Sequence, residues 1–353
     1  MLAVLAWLVV VLMVGEAWLQ VRSQILTGQS VLSWLFSGPQ VIRDEATGLR
    51  LLRPGAVIHG TRAEIRVNSL GLRSPEIPAL KSQGEYRIAI IGASSVMGAY
   101  AATNDHTFAA YLESRLRRDL GSQLVNVINA GIYGSTLDDQ TLMLKYVTER
   151  LHPDLVLLYT GFNDFADYCS DRPSSASVRN KFILPAVQLP LWLQTMEMLR
   201  KNTTQMRPAV RSDQHLRDPR TVDLGRYRAK LDRILAVGNE TGAQLMLATN
   251  TRAYRPDQPL VVQEQLAQTA RFFNSCFDVP GLHDLYKQHI GVMRTVAADR
   301  AVPLLRLDEM VPGGTQYFRD STHFNDRGNR LVADFLAKAI ADDGYPGRVG
   351  GAP

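Results

Sequence analysis

Two cysteines, Cys169 and Cys276, are all that 353 residues contain. They are too few for a disulfide framework, and neither stands at metal-ligand spacing from a partner. One bridge between them in an oxidising compartment, or two free thiols, both stay open. Seven histidines occur without a His-x-x-x-His or His/Cys cluster, so neither a metal nor another cofactor is expected. Charged residues make up 21% of the chain against 46% hydrophobic, which excludes global disorder and permits a sizeable core. The net charge is only +5, and no basic motif interleaved with aromatics accompanies it, so nucleic acid is not an expected partner. The whole excess sits between residues 170 and 220, where nine Lys/Arg face four acids. A solvated or membrane-facing insertion, or attraction of an anionic substrate, fits that concentration better.

The N-terminal run MLAVLAWLVVVLMVG lacks any charge until Glu16. At 15 residues it falls short of the ~20 that comfortably span a bilayer, but continuing through Leu19 reaches the lower limit. A cleaved signal peptide would carry Lys or Arg ahead of the apolar stretch, and none is there. The expectation is therefore an N-terminal transmembrane anchor (or signal segment) over residues 1–20. A buried helix of the soluble fold is the plainer alternative. With an anchor, the rest of the chain would be membrane-anchored on the periplasmic or extracellular side.

Residues 21–84 are rich in turn signals, Ser37-Gly-Pro39, Arg53-Pro-Gly55 and Asn68-Ser-Leu-Gly71 among them, and read as a strand-and-loop extension. From residue 85 to 345 the pattern alternates. Strands are predicted at 87–91, 124–129, 155–159, 243–248 and 302–307. Helical spacing covers 107–119, 137–151, 223–238, 260–300 and 327–341. Apolar strands separated by amphipathic helices specify α/β architecture, a parallel sheet covered on both faces. No internal repeat and no low-complexity tract interrupts it. The insertion 165–222 is too long for a plain connection; its apolar patch, Phe182 to Leu193, suggests a lid, a cleft wall or a surface resting on the bilayer.

In such a sheet the residues just past each strand converge on one edge, where ligands bind. After the first strand comes Gly92-Ala-Ser94-Ser95. After the second come Gly131 and Gly134, whose missing side chains let backbone amides approach a ligand. After the third comes Asn163-Asp164, and beyond the fifth comes Asp320-Ser-Thr-His323. A hydroxyl, an imidazole, a carboxylate and amide donors are the parts of an acyl-transfer site. Ser94 would be the nucleophile, His323 its base and Asp320 the group that orients the imidazole. The N–H groups of Ser94 and Gly134 and the side chain of Asn163 would form the oxyanion hole. The plainer account makes Asn163-Asp164 a turn, Asp320 a helix cap and the glycines ordinary turn residues.

The four blocks Gly92-Ala-Ser94, Gly134, Gly161-Phe-Asn-Asp164 and Asp320-Ser-Thr-His323 resemble, in order, those of the SGNH (GDSL-like) hydrolase superfamily. The resemblance covers about residues 65–341. It includes Asn68-Ser-Leu-Gly-Leu-Arg73, which looks like the lead-in of membrane-anchored bacterial members. It implies a three-layer α/β/α sandwich, flavodoxin-like with a five-stranded parallel sheet. It also implies an esterase acting on acyl esters, many of the family's substrates being acetylated carbohydrates. Relatives that transfer acyl groups to cell-surface polysaccharides make an O-acyltransferase the alternative. Ala93 stands where the commonest first block has Asp, which keeps Ser95 open as the nucleophile.

Two further readings are weaker. A dinucleotide loop over Gly92–Gly98 would need glycine where Val96 stands and a Tyr-x-x-x-Lys pair, whereas Tyr227 and Lys230 are three apart. A degenerate glycan-binding module would have no use for a complete set of triad residues.

Overall fold

A computed structural model describes residues 2–27, 40–59, 63–169 and 216–342. Most of the insertion, including seven of its nine basic residues and the Phe182–Leu193 patch, lies outside the described residues, as does the Ser37–Pro39 turn.

The core is a five-stranded, wholly parallel sheet. Its strands are β5 (Tyr86–Gly92), β6 (Val125–Gly131), β7 (Leu155–Tyr159), β8 (Gln244–Ala248) and β9 (Leu304–Leu305). They lie in the order β6-β5-β7-β8-β9, the flavodoxin-like order expected. In β5 every residue is buried, and successive side chains serve opposite faces. Ala89 and Ile91 pack on one face with Leu144 and Val147 of α4 (Leu137–Leu151) and Leu231 and Leu235 of α5 (Gly225–Glu240). Ile88 and Ile90 pack on the other with Leu112 of α3 (Phe108–Leu120) and Leu336 of the C-terminal helix (Asp326–Asp342). These are the three layers.

The N-terminal extension contains two antiparallel hairpins, β1 (Val41–Arg43) with β2 (Arg50–Leu52) and β3 (Val57–His59) with β4 (Glu64–Arg66). Leu52, Ile58, Ile65 and Leu72 from this region join the core beneath α4. Arg50 donates to the carbonyl of Tyr133 at 3.0 Å, tying the extension to the loop after β6.

Three expectations need correction. The 260–300 pattern is not one helix but three, Leu260–Leu266, Gln268–Phe273 and Val279–Asp299. The last starts afresh because Asp278 accepts the Gly281 N–H at 2.7 Å and Pro280 lies in the first turn. The fifth strand shrinks to two residues because the chain turns into helix again at Leu307. Finally, residues 2–27 do form a helix, α1, but no helix among the described residues is long and apolar enough to cross a membrane. Glu16 and Arg22 interrupt its run. Many of its apolar side chains are exposed, Trp7, Leu12 and Trp18 among them.

The two cysteines are joined. Cys169, at the end of the 3-10 turn Asn163–Cys169, is bonded to Cys276 with a Cα–Cα separation of 5.4 Å.

Candidate active site

Strand register brings the three loops of the site together. Gly92 of β5 lies level with Gly131 of β6 and Tyr159 of β7, so the chain leaves the sheet at the same height in all three. From β5 it enters a four-residue helix, α2 (Ser94–Met97), laid directly across β6. A side chain at Gly131 would collide with the backbone of Met97, and this contact is why glycine is needed there. Ser94 opens α2, so its backbone N–H falls in the first turn, which the helix itself leaves without a partner.

His323 joins both partners. Its Nε2 is 2.7 Å from Ser94 Oγ, and its Nδ1 is 2.7 Å from Asp320 Oδ2. A carboxylate only accepts, so Nδ1 carries the hydrogen and Nε2 is left as the acceptor for the serine proton. The other carboxylate oxygen, Oδ1, accepts the backbone N–H groups of Thr322 (2.9 Å) and His323 (3.0 Å). Burial pushes the Asp320 carboxyl up. The imidazole bond and the two backbone donors outweigh it, and the net position is below the usual carboxylate value. Ser95, the other candidate, donates instead to the carbonyl of Thr322 at 3.2 Å.

The two remaining candidates sit opposite. Gly134, at φ +68°, holds the loop after β6 in the left-handed region that other residues avoid. Asn163 begins the 3-10 turn after β7, and its Nδ2 donates to the carbonyl of Ser135 at 2.9 Å, one residue past Gly134. One Nδ2 hydrogen is thereby used and the second is left for a ligand. All five site residues proposed from the sequence thus lie on one edge of the sheet, and no His/Cys/Asp/Glu group able to hold a metal is found among the described residues.

Three participants escaped the sequence reading. The strand-end rule also points to the loop after β8. There the Ala253 N–H donates to the carbonyl of Ser321 at 2.9 Å, steadying the segment that carries His323. Tyr100 stands edge-on to His323, ring centroids 5.5 Å apart. Arg73, buried, donates to the carbonyls of Met97, Gly98, Ala101 and Glu64 and to Asn104 Oδ1.

A model of the family described as GDSL-like lipase/acylhydrolase matches residues 90–331. No curated protein matches the chain. Among solved structures, a lipase/acylhydrolase from Enterococcus faecalis is 19% identical, with 73% of this chain and 96% of that one covered and a TM-score of 0.41. An α/β hydrolase from the metagenome of Lake Arreo is 18% identical, covering 74% and 97%, with a TM-score of 0.44. A catalytic mutant of an acetylxylan esterase from Geobacillus stearothermophilus is 15% identical, covering 74% and 96%, also with a TM-score of 0.44.

Proposed function

The chain belongs to the GDSL-like lipase/acylhydrolase family, and from that premise we propose a serine esterase in which Ser94, His323 and Asp320 act as a triad. The observation that carries the reading is the row itself, Ser94 Oγ to His323 Nε2 and Nδ1 to Asp320, both at 2.7 Å. Ser94 Oγ attacks the ester carbonyl carbon as its proton passes to Nε2. The carbonyl oxygen becomes an oxyanion facing the N–H groups of Ser94 and Gly134 and the side-chain amide of Asn163. Collapse breaks the bond to the alcohol, which leaves with the proton from Nε2. Water then gives a proton to His323 as it attacks the acyl-serine, and collapse breaks the bond to Ser94 Oγ, which takes the proton back from Nε2 as the acid is released. Asp320, held ionised by its three donors, keeps the imidazole in the accepting tautomer and stabilises the imidazolium.

For the substrate we propose an acyl ester, acetyl above all, of a glycan or small molecule. Acetylxylan esterases among the structural neighbours suggest that class without carrying it. Transfer of the acyl group to a polysaccharide hydroxyl in place of water would use the same groups. The exposed apolar side chains of α1 suit a membrane surface, which is compatible with either variant, and we place the enzyme on the periplasmic or extracellular side. The Cys169–Cys276 bond suits an oxidising compartment.

The test is release of p-nitrophenol from p-nitrophenyl acetate by purified protein, compared with Ser94→Ala. Turnover that survives the substitution removes Ser94 from the chemistry. Acylated glycan among the products, with a glycan acceptor present, would establish transfer; free acid alone would reject it.

A further inference from the structure

Two of the proposed oxyanion donors belong to different strands, Gly134 to the loop after β6 and Asn163 to the turn after β7. Nothing in the sheet itself fixes their spacing beyond residue 131 on one side and 159 on the other, because the strands end there. Two hydrogen bonds span the gap. One is Asn163 Nδ2 to the Ser135 carbonyl. The other comes from the next residue: Asp164 Oδ2 accepts the backbone N–H of Leu137 at 3.1 Å, the first residue of α4. Asp164 is only 4% exposed, and a carboxylate so deeply buried is costly unless its charge is answered. Lys230 of α5 answers it, its Nζ 3.1 Å from Asp164 Oδ1 and 2.9 Å from Asp138 Oδ2.

We propose that Asp164 and Lys230 are positioning residues, a charged strut that holds the Gly134 loop and the Asn163 turn at the separation a tetrahedral oxyanion requires. The inference rests on the esterase reading of the site. Neither residue touches substrate. Asp164 is the neighbour of Asn163 and binds the helix that follows Gly134, so displacing its carboxylate moves both donors relative to Ser94. Lys230 reaches it from a third element, α5. Asp138, half exposed at the start of α4, receives the same ammonium and is also paired with Arg233, so its charge stays answered by solvent and a second cation.

Donors that act on charge developed in the transition state affect kcat when misplaced and leave KM largely alone. With p-nitrophenyl acetate and active sites counted by a fluorophosphonate, Lys230→Met is expected to lower kcat per site by roughly 10²-fold, with KM within about threefold. Lys230→Arg, which restores a cation, should recover most of that loss, and Asp138→Asn should stay near wild type. An unchanged kcat per site in Lys230→Met, or a loss confined to KM, overturns the proposal. So does a failure of Lys230→Arg to recover activity. Should Lys230→Met not fold, Asp164→Asn decides by the same split, since its amide oxygen keeps an acceptor for Leu137 and removes the charge. Wild-type protein without Ser94-dependent turnover would overturn the esterase reading and this inference together; wild-type turnover with an indifferent Lys230→Met would overturn this one alone.

Discussion

The hydroxyl of Ser95 donates to the carbonyl oxygen of Thr322 at 3.2 Å, one residue ahead of His323. Two adjacent serines thus do different work. Ser94 faces the imidazole, and Ser95 ties the loop after β5 to the loop that carries the histidine. Replacing Ser94 with Ala should lower kcat by about 10³-fold or more, whereas Ser95→Ala should cost less than about tenfold, the effect of loosening one neutral hydrogen bond. Hydrolysis of p-nitrophenyl acetate by both variants measures this. Equal inactivation would mean that the division of labour between the two serines is wrong.

The position of that row was legible in the sequence because strand ends in a parallel sheet are adjacent by construction. An apolar run ending at Gly92 places Ser94 at the edge whatever the helices do. Local chemistry was legible for the same reason: Asp320 and His323 are three apart and meet within one turn. Contacts between distant segments were not. Lys230 is one basic residue on a helix of several, and nothing nearby in the chain marks it as the partner of Asp164, 66 residues away. Arg73 sits in a stretch read only as a lead-in, and its five acceptors come from Glu64 and from the stretch 97–104. The cysteine pair stayed open because a separation of 107 residues says nothing about distance in space. The long pattern over 260–300 misled because apolar periodicity continued across the cap at Asp278.

Asp320 makes a prediction about pH. Its folded-state carboxyl titrates below the usual value, so the unfolded chain binds its proton more readily. The stability it contributes is therefore present above the unfolded pKa, about 3.9, and is lost as pH falls through the lower folded value. Asp320→Asn removes that contribution, so urea unfolding should separate variant from wild type at pH 7, and the gap should narrow as pH falls below about 3.9. In kinetics the variant should lose roughly 10² to 10⁴ in kcat, because an amide does not hold the Nδ1–H tautomer. A stability gap that keeps its size as pH falls would contradict the assignment.

Arg73 predicts a large structural effect. The residue is 1% exposed, and its guanidinium answers four carbonyls and one side-chain amide, among them Gly98 and Ala101 on either side of Tyr100. Each buried acceptor deprived of its donor costs ~1–3 kcal/mol, so Arg73→Met should lose more than about 3 kcal/mol of stability. Lysine offers three donors from one point and does not reproduce the fork. Arg73→Lys should fall between the two, with kcat reduced because the loop carrying Tyr100 is no longer held against His323. Denaturant midpoints and kcat from the same preparations test both statements, and a loss under about 1 kcal/mol in Arg73→Met would refute the first.

His289 gives a prediction of the opposite sign. The ring is 2% exposed and stacked on Phe165 with centroids 4.0 Å apart, and Tyr227 lies 4.1 Å away on the same basis. Neither ring nitrogen has a hydrogen-bond partner among the described residues. Burial pushes its pKa down to about 3, so the folded protein holds it neutral across the working range. A phenylalanine fits the same aromatic stack without two unmet polar atoms, and His289→Phe should be more stable at pH 7 by about 1–3 kcal/mol. The advantage should widen with acid. Below about pH 6.5 the unfolded chain protonates this histidine while the folded one does not, so wild-type stability falls by up to ~1.4 kcal/mol per pH unit until the folded value is reached. The variant has no such group at this position. Unfolding free energies at pH 7 and pH 5 test both parts, and the difference between the two proteins must grow as pH drops. A constant difference would mean that His289 titrates alike in both states, and a less stable variant would mean that its nitrogens are satisfied in solution, in the small cavity of about 10 Å³ that His289 shares with Gly161 and Asn250.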